Sequence, residues 1–166
     1  VYDRLGQLIR VNDPYDTTAG TAGTTWVFAY DHGGNIQQKT AYAYTTGSVG
    51  AAVQCDTFAY TDANWKDKLT AYNGTAITYD AIGNPLNDGK WQYTWEKGRQ
   101  LARMRSIDTD AQFVYNENGL WIQKTVNGAA TKYTLHGKNV VHMTQGGNEL
   151  HFFYDAQNRP AVVVYN

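Results

Sequence analysis

The chain opens on Tyr2-Asp3-Arg4-Leu5-Gly6. The same wording returns as Tyr30-Asp31-His32-Gly33-Gly34, Tyr79-Asp80-Ala81-Ile82-Gly83, Tyr115-Asn116-Glu117-Asn118-Gly119 and Tyr154-Asp155-Ala156-Gln157-Asn158. A catalytic signature is normally written once, so repetition points to structure. With weaker copies led by Tyr60 and Tyr133, the fourth residue after the tyrosine is Gly6, Gly34, Asn64, Gly83, Gly119, Gly137 or Asn158. Gly and Asn are the residues that tolerate positive φ. The residue after the tyrosine is Asp3, Asp31, Thr61, Asp80, Asn116, Thr134 or Asp155. Each has a short side-chain oxygen able to accept a backbone hydrogen bond two residues on. An Asp, Asn or Thr at the first turn position with Gly three later marks a type I turn, here closing a hairpin with a bulge. The motif therefore reads as a corner, with tyrosine at the end of one strand and the next strand starting after the glycine.

Between the corners lie Asn73-Gly74, Asp88-Gly89, Asn127-Gly128 and Gly146-Gly147, dipeptides suited to two-residue hairpins. From Tyr60 onward the two kinds of turn roughly alternate, with leading aromatics at Tyr60, Tyr79, Trp95, Tyr115, Tyr133 and Tyr154. Trp95 heads a degenerate copy whose glycine, Gly98, arrives one residue early. Before Tyr60 the spacing lengthens, because the Gly-rich stretches 12–23 and 45–54 read as longer loops at one edge. Units of this size that cannot fold alone indicate a repeat architecture.

Between turns the apolar residues alternate as in half-buried strands. Trp26, Phe28 and Tyr30 share a face, as do Trp91, Tyr93 and Trp95, and Leu150, Phe152 and Tyr154. No helical stripe is present, so the expected fold is all-β, an up-and-down meander of antiparallel hairpins. About fifteen strands exceed what a flat open sheet sustains, which favours a coiled sheet. The whole of 1–166 reads as one repeat segment, with units led by Tyr2, Tyr30, Tyr60, Tyr79, Trp95, Tyr115, Tyr133 and Tyr154.

Composition agrees. Thirteen Tyr and five Trp, with only 17% charged residues, suit twisted sheet, and sixteen Gly suit frequent turns. A net charge of −1 gives no electrostatic footprint for nucleic acid or an anionic membrane. Cys55 is the only cysteine, so an internal disulfide is impossible. That fits a bacterial surface protein and a cytosolic one equally. No apolar run is long enough to span a bilayer as a helix. Because the chain begins inside a repeat and carries no signal peptide, it reads as a piece of something longer.

The segments "YDRLGQLIRV", "YDHGGNIQQKT", "ITYDAIGNPL" and "YNENGLWIQKTVNG" resemble the tyrosine-aspartate (YD) repeats of the Rhs family. That family includes bacterial wall-associated proteins, the C component of insecticidal Tc toxins, and teneurins. The stretches "NWKDKLTAYNGTAITYDAIGNPL" and "WEKGRQLARM" are especially like the long secreted members of Gram-positive bacteria. The resemblance implies a ribbon of β-hairpins that spirals into a hollow shell around a C-terminal toxin, commonly a nuclease. It also implies a secreted or cell-surface location and, as partners, neighbouring repeats and an enclosed toxin domain. Members with toxins carry a self-cleaving aspartate motif after the repeats, and this chain shows neither that core nor a toxin.

The candidates for chemistry each have a structural explanation. Asp3, Asp31, Asp80 and Asp155 are accounted for as turn caps. His32 and His136 lie inside corner motifs. His142 and His151 flank the Gly146-Gly147 turn and could face each other across a hairpin, but a zinc site wants three or four ligands and no other is in view. Asp108 and Asp110 hold a fragment of a calcium loop without its glycine and closing glutamate. Asn73-Gly74-Thr75 matches a glycosylation sequon but is explained as a hairpin turn. Cys55 has no adjacent basic residue to activate it. The expectation is therefore no catalytic, metal or cofactor site, and no enzyme. The alternatives are a module that binds cell-wall carbohydrate through exposed aromatics such as Trp65 and Trp121, and a piece of a toxin whose catalytic domain lies outside the chain.

Overall fold

Alternation of side chains across each strand gives every strand one covered and one open face, and the chain satisfies its backbone by folding each strand back on the last. The computed structural model describes residues 1–166 as sixteen strands and no helix. These are β1 (Arg10–Asp13), β2 (Thr24–Tyr30), β3 (Ile36–Ala43), β4 (Ala52–Ala59), β5 (Ala71–Tyr72), β6 (Thr75–Ala76), β7 (Thr78–Tyr79) and β8 (Pro85–Asn87). They continue as β9 (Gln92–Glu96), β10 (Gln100–Arg105), β11 (Asp110–Tyr115), β12 (Trp121–Val126), β13 (Ala129–His136), β14 (Asn139–Gln145), β15 (Asn148–Tyr154) and β16 (Pro160–Tyr165). The chain is all-β, with two antiparallel up-and-down sheets and no closed barrel. One sheet runs β1 to β6 and the other β7 to β16, each strand beside its neighbour in sequence. Two compact units result, Val1–Thr78 and Tyr79–Asn166.

The meander is bulged at the same place again and again. Register shifts fall between Ala29 and Tyr30, Val114 and Tyr115, and Phe153 and Tyr154, each immediately before a corner tyrosine. The extra residue lies on the strand that leaves the corner, Gln37, Ile122 or Ala161, and it bends that strand and sharpens its twist.

The first unit keeps the one buried aromatic side chain, Trp26. Around it the interior is polar and tightly bonded. Thr24 and Thr25 are completely buried. Thr24 Oγ1 donates to the Asp16 carbonyl at 2.7 Å and accepts from Ala19 N–H at 3.1 Å. Trp26 Nε1 donates to Asp16 Oδ2 at 2.6 Å, and Lys39 Nζ sits 3.8 Å over the indole ring. The stretch 12–23, expected as a longer loop at one edge, is a strap tied to β2 through Asp16 and Ala19. The buried threonines of β2 explain why this small polar sequence can be ordered: the Thr24 hydroxyl bonds both Asp16 and Ala19 of the stretch.

In the second unit Ala111 is buried, and the aromatics of β9, β11 and β13 are half-buried on alternate positions. Phe113, Trp121 and Tyr133 form a cross-strand ladder, with ring centroids 5.0 and 6.5 Å apart. At the far edge β16 pairs only with β15, and all six of its residues are exposed.

Candidate functional site

The repeated corner is the feature on which the chain spends its most regular chemistry. Five corners share one wiring. Asp3 Oδ1 accepts from Leu5 N–H at 2.8 Å and Gln7 N–H at 2.9 Å. Asp31 Oδ1 accepts from Gly33 and Asn35, Asp80 Oδ1 from Ile82 and Asn84, Asn116 Oδ1 from Asn118 and Leu120, and Asp155 Oδ1 from Gln157 and Arg159, all at 2.8–3.0 Å. In each, the N–H of the fourth motif residue after tyrosine donates to the carbonyl of the Asp or Asn. That residue is left-handed: Gly6 at φ 78°, Gly34 at 89°, Gly83 at 88°, Gly119 at 75° and Asn158 at 64°. One oxygen therefore gathers two N–H groups, and one left-handed residue turns the chain back.

Two expected corner positions behave differently. Asn64 does not take positive φ. The cap there has slipped by one residue, because Thr61 turns its hydroxyl to Thr70 while Asp62 Oδ1 accepts from Asn64 and Trp65 N–H at 3.0 Å. Gly137 is left-handed at φ 62°, but it opens a two-residue turn in which His136 pairs with Asn139. Thr134 consequently lies inside β13 opposite His142 and caps nothing. Among the dipeptide turns, Asn73-Gly74, Asn127-Gly128 and Gly146-Gly147 close two-residue hairpins with Tyr72 opposite Thr75, Val126 opposite Ala129 and Gln145 opposite Asn148. Asp88-Gly89 instead belongs to a longer loop, in which Asp88 Oδ1 accepts from Lys90 and Trp91 N–H.

The corners are also tied to one another, which the sequence reading did not anticipate. Tyr30 Oη donates to the Leu8 carbonyl at 2.8 Å, Tyr115 Oη to Leu101 at 3.2 Å, and Tyr154 Oη to Val140 at 2.9 Å. Trp95 Nε1 does the same to Pro85 at 2.7 Å. Leu8, Pro85 and Leu101 each lie six residues after the leading aromatic of the preceding unit. The residue after the glycine adds a second tie: Asn84, which is buried, donates through Nδ2 to Asp80 Oδ2 at 2.8 Å and to the Gly98 carbonyl at 2.6 Å. Asn35 and Asn158 make comparable links, to the Lys66 carbonyl and to Asn139. Tyrosine rather than phenylalanine leads the motif because its hydroxyl reaches the neighbouring hairpin. Tyr154→Phe should therefore cost about 0.5–1.5 kcal/mol in urea unfolding, the net worth of one hydrogen bond.

Three of the corner carboxylates, Asp31, Asp80 and Asp155, are held ionised by these bonds. The Asn35 side-chain amide and N–H keep Asp31 below the ordinary aspartate value. At Asp80 burial works against ionisation but is outweighed by the N–H and amide of Asn84. The N–H and guanidinium of Arg159 lower Asp155, and Lys68 lowers Asp62 to about 2. An aspartate whose folded pKa is depressed adds stability that is complete above its unfolded pKa, and that is lost as the pH falls through the folded one. The melting temperature should accordingly fall between about pH 4 and about pH 2, the lower limit set by Asp62. The Asn116 corner, being neutral, contributes nothing to this acid transition. Replacing Asp31, Asp80 and Asp155 together by Asn should make it shallower, leaving the part that Asp62 and the other depressed aspartates contribute, as read by thermal melts across that range.

None of these carboxylates faces another across a cleft. Asp110, on β11, pairs with Arg103, whose Nε donates to Oδ1 at 2.8 Å, and Asp108 lies in the turn between β10 and β11, where its carbonyl accepts from Asn127 Nδ2 at 3.0 Å. Cys55 is exposed and accepts from Gln38 Nε2. Trp121 stands in the aromatic ladder, and Trp65 lies 5.7 Å from Lys68 Nζ. His142 and His151 do face each other, and Glu149 joins them, a third partner that the sequence reading missed.

No family model matches the chain. Three curated proteins do. The chain is 32% identical over 157 residues to the tRNA nuclease WapA of Bacillus subtilis strain 168, an alignment covering 90% of this chain and 6% of that protein. The tRNA3(Ser)-specific nuclease WapA of Bacillus spizizenii matches with the same identity and coverage. The tRNA(Glu)-specific nuclease WapA of Bacillus subtilis subsp. natto is 38% identical over 92 residues, 52% of this chain and 4% of that protein. The expectation of no enzyme is corrected by these relatives, each of which is named a nuclease. Turn chemistry writes the same Tyr, Asp and Gly whatever the surrounding protein does, so the corners give no sign of that activity.

Proposed function

We propose that the chain is a section of the YD-repeat scaffold of a WapA-like toxin, a large secreted or cell-surface protein in which stacked hairpins enclose or present a tRNA-directed nuclease. The relatives' names support the nuclease and its substrate class, tRNA. The chain spans about 6% of the length of the first two relatives, so that activity is proposed for the whole protein.

The observation that carries the scaffold reading is the β16 edge. Its outward backbone groups have no strand beside them, and Val162, Val163, Val164 and Tyr165 are 40–66% exposed on both faces. A long apolar edge left open invites pairing. In a continuing ribbon the next hairpin supplies that strand, just as β16 supplies it to β15. Hydrogen–deuterium exchange on this chain and on a longer polypeptide that continues the ribbon tests the reading. The outward-facing β16 amides, those not bonded to β15, should exchange fast in the first and become protected in the second. Equal, fast exchange in both would remove the support for a continuous scaffold.

The Phe113–Trp121–Tyr133 ladder favours a second reading, binding of cell-wall glycan, since Trp121 remains 43% exposed at its centre. A saturable change in tryptophan fluorescence on adding wall glycan, abolished by Trp121→Ala, would establish it; a flat titration would exclude it.

A further inference from the structure

We propose that His142, Glu149 and His151 form a binding site for a divalent transition-metal ion of the zinc type on the β14–β15 hairpin. The register places His142 directly opposite His151. Side chains alternate along a strand, so Glu149, two residues before His151, shares its face. Thr144, opposite Glu149, completes a four-residue patch, with Thr134 of β13 opposite His142 and Val164 of β16 opposite His151 on either side. The turn that sets this register is the two-residue Gly146-Gly147, both left-handed at φ 58° and 90°. The ligands therefore sit on a short, closed hairpin and not on a loose loop.

The geometry is that of a metal cage. The two imidazoles stack with centroids 4.5 Å apart and planes 19° from parallel. Glu149 Oε2 lies 3.4 Å from His142 Nε2 and 3.5 Å from His151 Nε2. All three ligand atoms fall within 4.8 Å of one another. With metal–ligand bonds of about 2.0–2.2 Å, the edge of a tetrahedron is about 3.3–3.6 Å long. Both nitrogen–oxygen separations have that length.

An independent observation points to the same ligand. His142 Nε2 is shut off from solvent and makes no hydrogen bond, although Glu149 is close by. A buried polar nitrogen without a partner requires an explanation, and a bound cation supplies one. Two imidazoles and a carboxylate are borderline donors that suit zinc, and copper or nickel as close competitors. Three protein ligands leave one tetrahedral place for water or an external ligand. The side chains are 28–47% exposed, so an ion can enter directly from solvent.

The test is a titration of the tag-free chain with Zn²⁺ alone, followed by calorimetry and by the melting temperature. The expected result is one ion per chain and a rise in melting temperature, because an ion bound only by the folded state stabilises it. His142→Gln, Glu149→Gln and His151→Gln should each weaken binding about tenfold or more, since even removal of outer-shell partners of metal ligands costs that much. His136→Gln, outside the cluster, should bind as the parent does. In the unmodified chain the imidazole signals of His142 and His151 should shift together on adding Zn²⁺, a readout independent of whether any variant folds. Absence of saturable one-to-one binding, binding that survives loss of both histidines, or imidazole signals that do not move would overturn the site and leave a simple His–Glu contact.

Discussion

Gly23→Ala is expected to destabilise the Val1–Thr78 unit by about 3–5 kcal/mol, the combined cost of backbone strain and overpacking. Gly23 has φ 97°, a region that residues with a Cβ rarely adopt. A Cβ placed there would meet Pro14 Cα and Tyr44 Cβ at 2.9 Å and the Asp13 carbonyl oxygen at 3.0 Å. Those neighbours are backbone and the root of a side chain, so none can swing aside. The next residue is the fully buried Thr24, whose hydroxyl holds the strap to β2, so displacement of residue 23 also strains the Asp16 and Ala19 bonds. Urea unfolding of the variant checks the figure. A loss below about 1 kcal/mol, typical of a free surface position, would mean that the strap is not packed as described.

Trp26→Ala carries the second large effect, about 3–5 kcal/mol for removing a buried indole. Trp26 is 8% exposed and sits between the strap, through Asp16, and β3, through Lys39. The same unit's other buried apolar side chains, Ala19 and Ala41, are small and cannot fill the cavity. Trp26→Phe keeps a ring in place and loses the Nε1 bond, so it should cost distinctly less in the same unfolding experiment.

The corners were legible because their requirements are local. A cap oxygen, a fixed spacing and a residue able to take positive φ are all visible in Asp3–Gly6, Asp31–Gly34, Asp80–Gly83, Asn116–Gly119 and Asp155–Asn158. The reading failed at Asn64, where Thr61 finds a partner in Thr70, nine residues away. It failed differently at Gly137, where the pairing of His136 with Asn139 offers a tighter turn than the five-residue corner. Gly23 was invisible as a special residue, since its constraint comes from Pro14 and Tyr44 across the strap. The tyrosine ties depend on which hairpins are neighbours, although the recurring six-residue offset of Leu8, Pro85 and Leu101 now makes them readable. The His142–Glu149–His151 cluster was within reach of the sequence: the Gly146-Gly147 turn pairs Gln145 with Asn148, and stepping three residues outward along each strand arrives at the two histidines. The nuclease connection was not within reach of the corners themselves, because it belongs to relatives far longer than the chain.

The central claim is that the repeated Tyr-Asp-x-x-Gly motif is a backbone corner whose acid serves as a hydrogen-bond acceptor. Thermal unfolding of Asp80→Asn beside Gly83→Val tests it most directly. Asn116 already caps a corner with the same pair of N–H bonds, so Asp80→Asn should lose only the Asn84 Nδ2 bond to Oδ2 and leave the melting temperature at neutral pH within a few degrees of the parent. Gly83→Val forces φ 88° on a β-branched residue, and should lower it by several degrees more through a strain of about 1–3 kcal/mol. A melting temperature that falls as far with Asn at 80 as with Val at 83 would contradict the corner reading.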